Sequence, residues 1–472
     1  MTQKIKRGVS LYSFQNETYL GKMSLDQAIG HCAAFGARGI EVVGEQTFAG
    51  WPECGMPEAA IADWHRLMQR HDTVPVCHDF MLDYKRYKDR PMPFDEQVRS
   101  VQNDIDFAAR LGMRYIRSLV SVAPEVLVAA APYAEDKGIT ILLEVHAPLH
   151  FDHPWIIRHA EAYEKAHTRA LGFLPDMGMF LARFPRVWKE RFIRNGCPQA
   201  AADFIEKAYE DRTLSEYVIL DVMQKWGPGP QLAMAETLRH NAAFEPKRML
   251  DFMPRIHNIH AKFYEMTDEI TEWSIPYDEI FRVLQKGGYE GYVCSEYEGN
   301  RWVEDAQEVD SLEQVRRQQL MFCRLLDENP TPGAAGPVRS IIMFDQHIIC
   351  REGFDNVTRD GEIIGVRFLA RLPYYRGLGL SMVEDIAVTL NGEAIPRQAI
   401  RLALRGREWT LDELESVYDD RWNFGEKATI TVLKPGGLPA GWHRLKVAER
   451  LRISYLPFVP VTTFETELEL TA

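Results

Sequence analysis

The chain has 472 residues, too many for a single hydrophobic core, and two domains are expected. With 46% hydrophobic and 26% charged residues it reads as an ordinary globular protein, and a formal net charge of -13 argues against nucleic acid as a partner. No run approaches about 18 apolar residues, so no membrane span is expected.

The start of the chain, Met1 to Arg7, leads into a strand-like segment and lacks the apolar core of a signal peptide. Cys32, Cys54, Cys77, Cys197, Cys294, Cys323 and Cys350 form no CxxC pair, which suits reduced thiols and a cytoplasmic location. A first strand is predicted at 8–14. Ser24 with Gln27 forms a capping box, Leu25, Ala28, Ile29, Cys32 and Phe35 keep helical spacing, and Gly36 ends that helix. Strand two is predicted at 39–43, a helix at 57–71 with Pro57 in its first turn, and strand three at 74–80. Val98, Val101, Ile105 and Ala108 mark another amphipathic helix, closed by Gly112. Strand four at 115–120 and a helix at 123–137 precede strand five at 141–146. A helix at 155–166 leads to strand six at 171–176; strands seven and eight follow at 256–263 and 292–297. Ser311 and Gln314 are expected to cap a last helix carrying Leu312, Val315, Phe322 and Leu326.

Eight strands alternating with helices predict an α/β fold, a (β/α)₈ TIM barrel, over residues 1–328. No glycine-rich phosphate loop favours an open sheet instead. The connection at 181–250 is oversized, helical in composition, and holds Trp188 and Trp226. It suits a lid, extra scaffold or a subunit contact equally. A Pro/Gly/Ala-rich linker is expected at 329–337. Beyond it, short alternating segments punctuated by Asn391-Gly392 and Pro435-Gly436-Gly437 predict an all-β, sandwich-like domain at 338–472.

The chemistry concentrates at strand ends. Ile141, Leu142 and Leu143 run straight into Glu144, and His146 follows on the same face. A buried carboxylate is costly unless something positive meets it. Asp176 on strand six, His260 on seven and Glu296 on eight stand at equivalent C-terminal ends, where barrels keep their functional groups. Each alone reads as an ion-paired residue; four on successive strands read as a metal site. Three carboxylates and an imidazole suit Mn²⁺, Mg²⁺ or Co²⁺. His257 competes with His260 but falls on the opposite face, nearer the strand start. His146 is the candidate general base, with a supporting or core histidine as the alternative. Lys262 is placed to hold a substrate oxygen or neutralise Glu144, and Glu298 is a second acid–base candidate. His78 and Tyr12 are expected to face the same mouth as substrate contacts, and Glu41 is taken as structural.

Gly39-Ile40-Glu41-Val42-Val43, Leu143-Glu144-Val145-His146, Pro175-Asp176-Met177-Gly178, Asn258-Ile259-His260-Ala261-Lys262 and Ser295-Glu296-Tyr297 resemble the sugar phosphate isomerase/epimerase superfamily of xylose isomerase-like barrels. The resemblance implies that Glu144, Asp176, His260 and Glu296 bind a divalent metal, usually Mn²⁺. The epimerase branch commonly has a histidine soon after the strand-six aspartate, where Met179 stands here. In the tail, Ile349-Cys350-Arg351-Glu352-Gly353-Phe354, Pro373-Tyr374-Tyr375-Arg376-Gly377, Trp422-Asn423-Phe424-Gly425 and Arg452-Ile453-Ser454-Tyr455 resemble the small β subunit of C-glycoside deglycosidases. There the barrel is a separate α subunit; here the two stand in one chain.

That pairing implies a 3-oxo-glycoside substrate with a phenolic or flavonoid aglycone, oxidised beforehand at C3 by a separate glucoside oxidase or dehydrogenase. The implied reaction is metal-dependent lyase chemistry: C2 proton abstraction by His146 and β-elimination of the aglycone. A metal-dependent sugar isomerase or epimerase working through an enediolate is the competing expectation. The expected assembly is a homo-oligomer, without nucleic acid or membrane partners.

Overall fold

The computed structural model describes residues 5–241, 243–330 and 343–471. The linker expected at 329–337 lies outside them from residue 331 onward.

Eight strands carry the N-terminal part: β1 (Lys6–Ser10), β2 (Gly39–Val43), β3 (Val74–Asp79), β4 (Tyr115–Ser118), β5 (Thr140–Val145), β6 (Leu171–Pro175), β7 (Asn258–Phe263) and β8 (Tyr292–Tyr297). They form one parallel sheet in which β1 pairs with β2 on one side and β8 on the other. Parallel bridges Phe173–Ile256 and Asp176–His260 join β6 to β7 and bring the sheet round into a TIM-like near-barrel. β2, β6 and β7 are buried along their whole length, as strands covered on both faces must be. The first strand is shorter than predicted. It stops at Ser10, and Leu11–Phe14 winds into a 3₁₀ turn that buries Tyr12 and Phe14.

The outer layer follows from amphipathic helices. Phe94–Arg110 buries Val101, Ile105, Phe107 and Ala108 against the sheet. Ser24 and Gln27 make the predicted reciprocal cap. The cap of the last helix differs from expectation. Asp310, one residue earlier, accepts the backbone N–H of Glu313, while Gln314 turns away to accept from Met266 N. A carboxylate at this position also favours the positive helix start.

Between β6 and β7 the chain inserts four helices, Arg186–Arg194, Gln199–Glu210, Glu216–Trp226 and Pro230–His240. Trp188 on the first stacks on Trp302, with ring centroids 4.5 Å apart, beside the barrel mouth. Trp226 packs away from it against Phe204.

After the linker, antiparallel sheets replace the parallel one. A five-stranded sheet runs in the order Arg407–Thr410, Ile400–Leu404, Ala428–Leu433, Glu362–Ala370, Asp355–Arg359. A four-stranded sheet runs Glu393–Ala394, Val383–Leu390, Gly441–Leu451, Val461–Leu470. Phe368 and Ile430 from the first share one core with Ile386 and Val447 from the second, and Trp422 completes it. All seven cysteines are free, and among the described residues no helix is long and apolar enough to cross a membrane.

The tail docks on the loops that follow β2 and β3, at the end of the barrel where strands finish. Buried Arg376 forks onto Asp83 at 2.7 and 3.0 Å and also reaches Glu45. Buried Arg421 spans Glu53 at 2.7 Å and Glu45 at 2.8 Å. Asn423 accepts Gly50 N at 2.8 Å, and Arg452 donates to the carbonyls of Lys85 and Arg86. Charge-assisted, forked contacts of this kind fix orientation more firmly than apolar burial alone.

Candidate active site

The strand ends converge as alternation dictates. Glu144 ends the apolar run of β5, Asp176 follows β6, and His260 and Glu296 lie within β7 and β8. One ligand atom from each lies within 4.8 Å of all the others, and all four residues are buried. His260 Nδ1 sits 2.9 Å from Glu144 Oε1 and 3.6 Å from Glu296 Oε1, so this nitrogen faces the cluster. Its Nε2 points away, to Glu41 Oε1 at 2.8 Å and Asp79 Oδ1 at 3.8 Å. A proton on Nε2 facing Glu41 leaves the Nδ1 lone pair for a cation.

Burial and charge pull these groups in different directions. Desolvation opposes ionisation of Glu144, but the Arg117 guanidinium 3.6 Å away and the His260 ring hold its carboxyl well below the usual carboxylate range. Glu296 goes the other way: burial pushes it up to about 8, against the pull of His260 and Lys262. Six carboxylates (Glu41, Asp79, Glu144, Asp176, Glu296, Glu298) crowd around three permanent cations (Arg117, Lys262, Arg301), more acidic groups than the cations can match, and, although burial opposes it, the surplus favours a proton on His260 when no metal is bound. Asp176 Oδ2 and Glu296 Oε2 are buried and accept no aligned hydrogen bond. Buried carboxylate oxygens beside an imidazole nitrogen are the donor set a hard or borderline dication needs.

A cleft of about 610 Å³ opens above the quartet, the size range of small-molecule sites. His146 stands on its rim just past the end of β5, half-exposed, with Nε2 3.7 Å from Asp176 Oδ2. Lys262 Nζ lies 2.6 Å from Asp176 Oδ2 and 3.4 Å from Glu298 Oε2. Glu298 accepts from Tyr12 Oη at 3.0 Å; burial works against its ionisation, but Lys262, Arg301 and His146 hold it at about 2. It is therefore anionic near neutrality and suits accepting a proton better than donating one.

Both parts of the chain are similar to known proteins. A family model described as a xylose isomerase-like TIM barrel matches residues 29–319. The chain belongs to the xylose isomerase-like TIM barrel family. This xylose isomerase-like barrel carries behind it a C-glycoside deglycosidase beta-subunit domain, matched over residues 344–455. A C-glycoside deglycosidase alpha subunit from Arthrobacter globiformis is 29% identical over 63% of the chain and 84% of its own length. A 3'-dehydrocarminate deglycosidase beta subunit from a Microbacterium species is 36% identical over 26% of the chain and 92% of its own length. A solved sugar phosphate isomerase/epimerase from Parabacteroides distasonis covers 69% of the chain and 96% of its own length, at 14% identity and TM-score 0.42.

Within this xylose isomerase-like site, one sequence expectation needs correction. His78 does not face the mouth. It is turned outward, 3.0 Å from Asp104 and packed on Phe107 and Trp51, because the inward face of β3 belongs to Cys77 and Asp79. Glu41, taken as structural, lies against His260 inside the barrel and accepts from Asn258. Tyr12 does reach the cleft, from the 3₁₀ turn rather than from a strand. His257 lies at the opposite end, stacked on Tyr115. Asp79 and Arg117 were missed; a charged residue inside the otherwise apolar β4 was the available signal.

Proposed function

We propose that the protein is a metal-dependent lyase that cleaves 3-oxo-glycosides of phenolic or flavonoid aglycones by C2 proton abstraction and β-elimination. The observation that carries this reading is the Glu144, Asp176, His260 and Glu296 quartet at the floor of a cleft with His146 on its rim. The names of the relatives, deglycosidase alpha and beta subunits, support the substrate class.

Glu144, Asp176, His260 and Glu296 would hold the cation, with Mn²⁺ the best match to a mixed oxygen and imidazole set. When bound, the cation supplies Lewis acidity at the C3 ketone oxygen, which acidifies the neighbouring C2–H. His146 takes the C2 proton through Nε2. Electrons from the broken C–H bond pass into the ring as an enolate. They return to form the C1=C2 bond while the C1–aglycone bond breaks, its pair leaving with the aglycone, which then takes up a proton. Lys262 holds a sugar oxygen and balances Asp176 and Glu298. Because the enolate drives the cleavage, even a C–C link can break when the phenol ring takes up the departing electron pair, unlike acid hydrolysis by paired carboxylates. The ketone must be installed by a separate oxidoreductase acting on the glycoside.

The test is incubation of Mn²⁺-loaded protein with a 3-oxo aryl C-glycoside. Release of the free aglycone with an unsaturated keto sugar is expected. Isomerised free sugar without aglycone release would establish an isomerase instead.

A further inference from the structure

We infer that the C-terminal domain closes the barrel of its own chain, and that Tyr375 and Tyr455 of that domain are the residues that recognise the aromatic leaving group. This rests on the proposed lyase reading for the identity of the ligand, but not for the geometry.

The cleft is lined by two unlike kinds of side chain. Its lining combines charged side chains, Glu144, Lys262, Glu296 and Glu298, with apolar ones, Leu119, Val120, Leu149 and Trp155. A polar, oxygen-rich sugar suits the charged groups, and a flat hydrophobic aglycone suits the apolar and aromatic ones. Tyr375 and Tyr455 enter this cleft from the tail, more than seventy residues apart in sequence but joined through Tyr374: its ring lies 4.7 Å from that of Tyr375, and its hydroxyl donates to Tyr455 Oη at 3.0 Å. The Tyr375 ring meets Tyr12 edge-on with centroids 6.0 Å apart, and the Arg301 guanidinium lies 5.5 Å from the Tyr12 ring and 5.7 Å from the Tyr375 ring. Arg301 is therefore held by barrel and tail together at the seam. Edge-to-face rings and a guanidinium form a surface that takes an electron-rich phenol, and the positive charge favours it further as it leaves with a negative oxygen.

Tyr375 is fixed, not draped. Its carbonyl accepts from Gln46 Nε2, its hydroxyl approaches Met81 Sδ at 3.9 Å, and the next residue is the buried Arg376 that grips Glu45 and Asp83. Every one of these partners belongs to the loops after β2 and β3 of the same chain. The two functions that the relatives divide between alpha and beta subunits thus meet across one seam within a single polypeptide.

Two measurements decide this without turnover. First, affinity of the Mn²⁺-loaded protein for 4-nitrophenol and for the flavone chrysin is measured by calorimetry. Tyr375→Ala is expected to weaken both by about tenfold or more and Tyr375→Phe by no more than about twofold. Undiminished affinity in Tyr375→Ala, with the protein shown folded by circular dichroism, overturns the aromatic assignment. Second, ¹⁵N-labelled and unlabelled chains are unfolded and refolded together, then coupled with a carbodiimide across the Lys88–Glu415 ion pair at the seam. Coupled peptides that are wholly light or wholly heavy are expected; mixed-isotope pairs overturn closure within one chain. If instead no 3-oxo-glycoside is cleaved while both results hold, the lyase reading fails and the phenol site stands.

Discussion

Glu41 Oε1 lies 2.8 Å from His260 Nε2, on the side of the ring opposite the Glu144 oxygen 2.9 Å from Nδ1. The imidazole is thus pinned between two carboxylates that do different jobs. The outer one lies close enough to favour a proton on Nε2; the inner one shares its cluster. Glu41→Gln keeps the size and the Asn258 contact but removes the charge that favours the Nε2 proton. Mn²⁺ affinity is expected to fall about ten- to a hundredfold with the fold intact. Titration with metal, alongside a thermal melt of the apo protein, separates that outcome from simple unfolding; unaltered affinity refutes the role.

Removing a quartet member acts more severely. Asp176→Asn leaves an amide where a buried carboxylate faced the cluster, and deprives Lys262 of its nearest anion. Loss of stoichiometric Mn²⁺ binding is expected, read by metal analysis after gel filtration. Chelation of the unaltered protein should abolish aglycone release, and Mn²⁺ should restore it.

His146 offers a sharper distinction. It lines the cleft and is half-exposed, without being packed among the four clustered atoms. His146→Asn is expected to retain metal while elimination falls about a hundred- to ten-thousandfold. Exchange of the substrate's C2 hydrogen with deuterated solvent reads the same step directly, and should fall in parallel. Persistent exchange with lost aglycone release would instead make His146 an acid for the leaving group.

Much of this arrangement was legible from strand ends. Glu144, Asp176, His260 and Glu296 each terminate or interrupt an apolar run, and eight such runs define where they meet. The face assigned to β3 was not legible. Val76-Cys77-His78-Asp79 offers a plausible inward residue in either phase, and the β2–β3 register shifts by one between Ile40 and Glu41. A one-residue step exchanges the two faces, which puts Asp79 inside and His78 outside. Asp310 outcompeted Ser311 as a helix cap for a similarly local reason. The tail's share of the cleft had no local signature: Tyr375 and Tyr455 come together through contacts between sheets and loops far apart in sequence.

Metal uptake should depend on pH in a defined direction. Burial raises Glu296 from its ordinary 4.5 to about 8 in the metal-free site, so below that pH a proton must leave for this carboxylate to become a ligand. Apparent Mn²⁺ affinity is expected to rise as pH climbs from 6 toward about 8 and then level, by up to about tenfold per unit. The apo protein should respond oppositely. Its folded state holds this proton more tightly than the unfolded chain does, so the contribution of Glu296 to stability declines from about 4.5 through about 8. Calorimetric titrations in buffers of different ionisation heat count the proton released. Glu296→Gln should remove the apo pH dependence in this window along with metal binding.

The seam between domains yields the last expectation. Arg376 is 1% exposed and serves Glu45 and Asp83 together, while Arg421, equally buried, shares Glu45 and reaches Glu53. Burying charges is costly, and such a network holds only while every member is matched. Arg376→Met preserves the stem but leaves Asp83 and part of Glu45 uncompensated away from water. A loss of about 3–5 kcal/mol is expected, the range for removing one partner of a buried pair. Because the cut falls between the two cores, urea unfolding should change from one transition to two, with the tail separating first. Phenol affinity should fall with that first transition, since Tyr375 adjoins Arg376 in the chain and leaves the cleft with it. A single unshifted transition in Arg376→Met would mean that the surrounding backbone contacts, such as Arg452 to the carbonyls of Lys85 and Arg86, are sufficient to hold the tail in place.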